Sequence, residues 1–375
     1  MIARLRAQLL VPAGAIVLAL IVGAVIIIVT SPLAVQKLDL SLPLATYWAL
    51  VQGSLGSIDG IVDTLRAASP LILVGLAVAL PFKAGLFNIG GQGQFLIGAV
   101  TAAWVGAALS GASPFVALPV AVLAGMLAGA AYGFIPGWLK AYTGAHEVVT
   151  TIMLNYIAMQ IVSYFIQGPL KAPGATFARS ADVGNSALPV IFQQTAGHPA
   201  HLGIIFPYIA AVLVWWLLYR TTIGFEIRTA GANPDAARYA GMRPRFLIVL
   251  TMVIAGLLVG LAGAGEILGV QGYMVAGYST NVGFDAITVA LLGRTHPFGV
   301  VLAGLLLGAM RAGAPLMQIS AGIPVQMVDV LQGVILFFLT ADIVVRWVFR
   351  IRAAGSGGPE KLATVSASSG GSTAK

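Results

Sequence analysis

From Ala84 to Leu139 the chain carries no Lys, Arg, Asp or Glu. A soluble domain carries about 25% charged residues, so an uncharged run of this length belongs in lipid. The whole chain agrees, being 59% hydrophobic and 9% charged, with a mean hydropathy of +0.96. Its apolar segments have helix length and are rich in Leu, Ala, Val and Gly. They lack the period-two alternation of a transmembrane barrel. The expected fold class is therefore an all-α polytopic membrane protein.

Read in order, the chain suggests ten spans, with eight as the alternative: Met1–Thr30, Ala67–Pro81, Gly85–Leu109, Phe115–Ile135, Val148–Gln167, Leu202–Tyr219, Phe246–Leu268, Phe284–Leu292, Phe298–Pro315 and Pro324–Val345. The first could be read as a signal peptide, but its apolar core exceeds the usual 7–15 residues. Phe284–Leu292 is short against the ~20 residues a span needs, which suggests a broken or re-entrant helix. Ser31–Arg66 reads as an external segment with a possible surface helix, and 168–201 as an external loop rich in Pro, Gly and Ala. A ten-span path places Arg4, Lys83, Lys140, Arg220–Arg245, Arg294 and Arg346–Arg352 together, with Lys37, Lys171 and Arg179 as exceptions. The positive-inside rule makes that side cytoplasmic, along with both termini. Residues 1–352 form one transmembrane domain, and 353–375 reads as a flexible Gly/Ser/Ala tail. Gly125, Gly129 and Gly133, then Gly256 and Gly260, then Gly304 and Gly308, recur at four-residue spacing. Such spacing lets helix backbones approach closely in lipid.

The segment Arg220–Arg245 is the one long charged run in the middle of the chain. Charge alone asks only for a cytoplasmic loop. Its centre, however, is marked as a short helix at both ends. Asn233 is a good N-cap, Pro234 fits the first helical position, Asp235 suits the positive end of the dipole, and Gly241 can stop the helix in a left-handed conformation. A folded helix carrying Arg238 is suited to docking on a soluble partner.

The segment GANPDAARYAGM, from Gly231, resembles the cytoplasmic coupling loop of ABC-importer permeases of the ribose and branched-chain amino acid type. Pro81–Ala99 (PFKAGLFNIGGQGQFLIGA) and Gly283–Gly313 are similar to the nucleoside, simple-sugar-like branch, and Glu147–Ala158 fits the same pattern. The resemblance spans roughly Ala67 to Arg346. It implies that a separate ATPase docks on Gly231, Asn233, Pro234, Asp235, Arg238 and Gly241. It also implies a second permease, an extracytoplasmic substrate-binding protein, a bacterial inner membrane and a nucleoside cargo. ATP would be used by the partner, with no cofactor bound here.

Polar residues inside apolar spans are costly and therefore informative. Asn88, Gln92 and Gln94 lie in NIGGQGQF, with Phe95 next to them. The glycines there disfavour a continuous helix, and broken helices at membrane depth build many transporter sites. Amides read base edges or sugar hydroxyls, and an aromatic ring stacks on a base. The competing role is interhelical amide bonding. Glu147, Thr151, Asn155 and Met159 repeat every four residues, and Asn155 is the pathway candidate among them. Asn281 and Asp285 are candidates at the outer mouth, with Glu266. Arg311 is expected to pair with Asp329 on the next span.

Other chemistries find little support. Zero cysteines removes thiol catalysis and cysteine-ligated metal. His146-Glu147 has Thr150 where a zinc-protease motif needs its second histidine, and no GxxxxGK[ST] is present. The basic residues form no aromatic-interleaved block for nucleic acid. A stand-alone ion-coupled transporter would call for core carboxylates and an internal inverted repeat, and the sequence shows no obvious repeat. An intramembrane enzyme would need paired catalytic groups at one depth, and none can be assembled.

Overall fold

Backbone groups in lipid must be satisfied within their own segment, so the long apolar runs become helices. The computed structural model describes residues 2–35, 39–194, 199–278 and 281–341 with Val345 and Val348. The proposed tail 353–375, the basic residues Arg346, Arg350 and Arg352, and Lys37 lie outside the described residues. The helices are α1 (Ile2–Val35), α2 (Leu42–Leu55), α3 (Ile58–Lys83), α4 (Gly91–Ala108), α5 (Pro114–Trp138), α6 (Glu147–Gln167), α7 (Phe206–Arg220), α8 (Thr222–Ala232), α9 (Pro234–Tyr239), α10 (Pro244–Glu266), α11 (Val282–Leu292), α12 (Pro297–Ala321) and α13 (Met327–Thr340). The only strands among the described residues are β1 (Val190–Phe192) and β2 (Ala200–His201), a small antiparallel pair.

Among the described residues, 7 helical segments are long and apolar enough to cross a membrane. The other expected spans correspond to the glycine-rich α4 and the shorter apolar helices α11 and α13. The break expected in NIGGQGQF is present: α3 ends at Lys83, residues 86–89 are irregular, and α4 begins at Gly91.

The glycine spacings serve helix approach. A Cβ on Gly129 would lie 2.4 Å from the Gly256 carbonyl, and one on Gly256 would lie 2.2 Å from the Gly129 carbonyl. With Gly125 against Gly260 and Gly133 against Met252, these contacts run α5 and α10 antiparallel. Gly304 against Ile72 and Gly308 against Ala68 do the same for α12 and α3.

These contacts reveal an inverted repeat that inspection of the sequence missed. Helix α3 packs on α12, α11 and α10 as α10 packs on α5, α4 and α3. The α4–α6 and α11–α13 contacts also correspond. Thus α3–α6 and α10–α13 are two halves of opposite direction. The symmetry lies in packing positions filled by different small residues, so no matching string of letters betrays it. An inverted repeat therefore no longer separates an ion-coupled transporter from the other reading.

Two further expectations are corrected. The segment before Arg66 does hold a helix, α2, but only one of its faces is exposed. Helix α2 packs against α12, with Gly53 facing Gly313 at 2.9 Å, and Tyr47 donates to the Leu20 carbonyl at 2.7 Å. Its hydroxyls are spent locally, Thr46 on the Leu42 carbonyl and Ser54 on the Leu50 carbonyl. That makes a mixed sequence compatible with burial. Helix α3 also starts earlier than expected, at Ile58, capped by Ser57 accepting from the Gly60 N–H. The second correction concerns Arg311, which pairs with Asp285 and not with Asp329. Helix α13 packs chiefly along α1, so α12 presents Arg311 to α11.

The charged run 220–245 folds further than expected. Helix α8 precedes the short α9 and is capped by Thr221 accepting from Gly224 N–H. Asn233 accepts from the N–H groups of Asp235 (3.1 Å) and Ala236 (3.0 Å), and Gly241 has φ +81°. Basic residues gather at this end of the bundle. Arg228 stacks on Tyr219, Tyr219 on His296, and Arg245 on Tyr142.

Candidate functional site

The helix break between α3 and α4 is held by amides. Asn88 and Gln94 bond reciprocally, at 3.2 and 3.3 Å, and Asn88 accepts from the Gly90 N–H. Asn155 on α6 accepts from the Gly93 N–H at 2.8 Å and donates to the Ile89 carbonyl at 2.9 Å. Gln92 accepts from the Gly283 N–H at 3.2 Å. Asn88, Gln92, Gln94 and Asn155 are all buried. Asn88 precedes α4, whereas Gln92 lies in its first turn. Their polarity meets backbone groups that the irregular chain would otherwise leave unpaired.

On α6, Thr151 and Asn155 face inward as expected, whereas Met159 is exposed. Four residues advance a helix by 400°, so a four-residue stripe drifts around it. The buried line continues through Ala158, Val162 and Ile166.

Where the two halves meet, the N-termini of α4 and α11 touch. A Cβ on Gly91 would lie 3.5 Å from the Gly283 Cα. Beside this junction is a cavity of about 310 Å³ lined by Arg66, Ala67, Pro70, Phe95, Glu266, Asn281, Val282 and Arg311. Phe95, Asn281 and Glu266 were expected near a route, and the fold brings them together. Asp285 is paired with Arg311 behind that wall. Arg66 and Arg311 were not foreseen as lining residues. Arg66 sits in the segment read as external, and only the inward course of α3 reveals it. The cavity differs from the amide cluster in presenting charge to open space. Two helix N-termini beside it add partial positive charge.

Glu266 accepts from Tyr278 (3.1 Å) and Gln271 (3.4 Å). Burial first, and the Glu266 charge second, push the Tyr278 hydroxyl up. A small adjoining space is lined by Arg66, Glu266 and His201. His201 is buried and neither ring nitrogen has a partner among the described residues. Burial, with Arg66 adding repulsion, lowers its imidazole to about 4. At the basic end, burial and Lys83 lower His296.

The described part of the segment 168–201, residues 168–194 and 199–201, packs against this side of the bundle. Its backbone pairs with the chain after α10: Ser180 N–H donates to Met274, Val183 to Gly272 and Leu188 to Leu268. Arg179 stacks on Tyr273 at 4.7 Å and pairs with Asp182 at 2.9 Å.

Buried polarity around an inverted pair of broken helices defines a membrane transport protein. Sequence comparison supplies the family. The chain belongs to the branched-chain amino acid transport system permease components, whose model matches residues 60–340. It is 42% identical over 342 residues to the guanosine ABC transporter permease protein NupP of Bacillus subtilis, covering 91% of this chain and 95% of that one. It is 35% identical over 345 residues to the nucleoside ABC transporter permease protein NupB of Lactococcus lactis, covering 90% and 92%. A glucose ABC transporter permease of Haloferax volcanii is 36% identical over 315 residues, covering 81% and 82%. No solved structure matches. The chain is thus a multi-pass permease subunit of an ABC transporter, and not an enzyme. ATP hydrolysis belongs to a separate subunit, and such permeases work with an ATPase and a substrate-binding protein.

Proposed function

We propose that this permease imports nucleosides, with the route passing the cavity of Phe95, Asn281, Glu266, Arg66 and Arg311. The observation that carries the reading is that cavity: an amide, a carboxylate and two guanidinium groups around about 310 Å³, with the buried Phe95 ring packed behind them. An amide or carboxylate meets base edges and ribose hydroxyls. Guanosine and nucleoside permeases that match along nearly their whole length support the same cargo. A simple sugar is the second reading, favoured by the glucose relative. In this proposal Asn88, Gln92, Gln94 and Asn155 border the route by holding the helix break, and Asp285 sets Arg311.

The ATPase docks on the α8–α9 elbow, through Gly231, Asn233, Pro234, Asp235, Arg238 and Gly241. The substrate-binding protein meets the opposite end, at the segment 168–201. A second permease packs on the outer face of α6, where Tyr156 and Tyr164 are 63% and 69% exposed beside exposed Gln160 and Gln167. Amides facing outward within a span favour a protein neighbour over lipid. The complex resides in a bacterial inner membrane with both termini cytoplasmic, consistent with the basic end carrying the elbow. Residues 1–352 form the permease domain and 353–375 a cytoplasmic tail.

The test is gentle purification of the native complex, mass spectrometry of its subunits, and competition of labelled guanosine by unlabelled guanosine and glucose. Competition by guanosine alone supports the nucleoside reading. Saturable uptake of labelled glucose without saturable uptake of labelled guanosine moves the cargo to sugars, and a complex lacking an ATPase sinks the docking assignment.

A further inference from the structure

Two backbone contacts, at opposite ends of one short segment, join the basic elbow to the cavity. At the first, α8 touches the end of α3. A Cβ on Gly231 would lie 2.2 Å from the Lys83 carbonyl and 2.8 Å from the Ala84 Cα. Gly85 answers it, with φ +72° and its face 3.1 Å from the Gly231 carbonyl. The contact at Gly231 leaves no room for a side chain and that at Gly85 is tight, so displacement of α8 presses directly on the main chain of 83–85.

From there the chain runs without helix through 86–89 and is anchored throughout. Leu86 N–H donates to the Pro81 carbonyl, Phe87 packs on Phe82 at 4.2 Å, and Asn88 and Asn155 fix the rest. At the second contact, a Cβ on Gly283 would lie 2.4 Å from Gln92 N, and Gln92 Oε1 accepts the Gly283 N–H. Gly283 is in the first turn of α11, next to Asn281 and Val282 on the cavity wall. Close-packed contacts of this kind transmit displacement without absorbing it.

We propose that residues 84–93 are a rigid connector that carries motion of the α8–α9 elbow to the first turn of α11 and so to the cavity wall. Gly231, Gly85 and Gly283 are its positioning residues. The proposal rests on the reading of the elbow as the ATPase docking site. It requires the elbow and the α11 N-terminus to move together, with the connector between them.

Amide hydrogen exchange on the purified complex, with and without ATP plus vanadate, tests this. In the wild type, segments 222–239, 84–93 and 281–292 should each change exchange rate at least ten-fold. In Gly85→Ala, which puts a side chain on a left-handed residue of the connector 3.1 Å from the Gly231 carbonyl, the response at 222–239 should remain and that at 281–292 should fall to within two-fold of none. Gly265→Ala, which meets nothing within 4 Å, should match the wild type. A full response at 281–292 in Gly85→Ala overturns the proposal. So does a wild type in which 281–292 responds while 84–93 is silent, an arm that stands even if Gly85→Ala fails to assemble. Gly91→Ala, which meets a Val74 methyl at 2.9 Å, then supplies the milder variant and should weaken the response at 281–292. A wild-type complex with no response at 222–239 refutes the docking reading itself, and the connector falls with it.

Discussion

The two polar clusters at the centre of the bundle use their side chains in opposite ways. In the amide cluster, Asn88, Gln94 and Asn155 are buried and bonded to one another or to irregular backbone. In the cavity, Arg66, Glu266, Asn281 and Arg311 border open space. Both put polar groups where lipid-facing chemistry would forbid them. The first satisfies its groups internally and fixes a shape. The second leaves capacity for a solute. Polarity at membrane depth therefore marks importance, but only the pattern of partners separates holding from binding.

The sharpest way to break this contrast is Asn155→Leu. It strands the Gly93 N–H and the Ile89 carbonyl, each of which has its bond from Asn155. Interhelical side-chain bonds in bilayers average only about 0.6 kcal/mol, but a stranded buried group costs about 1–3 kcal/mol. A loss of roughly 2–4 kcal/mol is expected, read as a lower thermal midpoint in detergent and a lower yield of assembled complex. An unchanged midpoint with lost uptake would move Asn155 from the holding cluster into the route.

The cavity side should respond to acid while the amide side does not. His201 borders it with its imidazole lowered to about 4 from the usual 6.5. The folded state therefore binds fewer protons than the unfolded one between those values. Stability is full above pH 6.5 and falls as pH drops toward 4, by roughly 3 kcal/mol. Thermal midpoints measured at pH 7.5, 5.5 and 4.5 should decline in the wild type and flatten in His201→Phe. A decline that survives His201→Phe belongs to other groups.

Much of this arrangement was legible beforehand, and the gaps have physical causes. The Asn233 cap and the Gly241 stop are local signals, written within a few residues, and they match the observed α9. The break before Gly91 was legible because glycine clusters weaken helices, although Gly91 and Gly93 themselves open α4. Helix α8 was hidden because Gly224 and Gly231 depress its propensity, although both serve close backbone contact. The Arg311–Asp285 pair was missed because Asp285 and Asp329 lie on the helices before and after α12, and sequence order does not choose between them; the packing of α11 on α12 does. The inverted repeat was invisible for the same reason: packing geometry repeats while residue identities do not.

The finest test of the contrast is a lining residue with little structural duty. Asn281 is exposed in the wall, and its backbone carbonyl, not its side chain, accepts the Asp285 N–H at 2.9 Å. Asn281→Ala should therefore leave the thermal midpoint within the ±0.5 kcal/mol typical of surface changes. If the amide meets the solute, uptake should show a KM raised about ten-fold, a difference of about 1.4 kcal/mol, with the maximal rate little changed. Guanosine competition should weaken in parallel. A variant with normal KM would place the route elsewhere, most directly along the tyrosine- and glutamine-bearing face of α6, and Gln160→Leu would then become the variant expected to impair uptake.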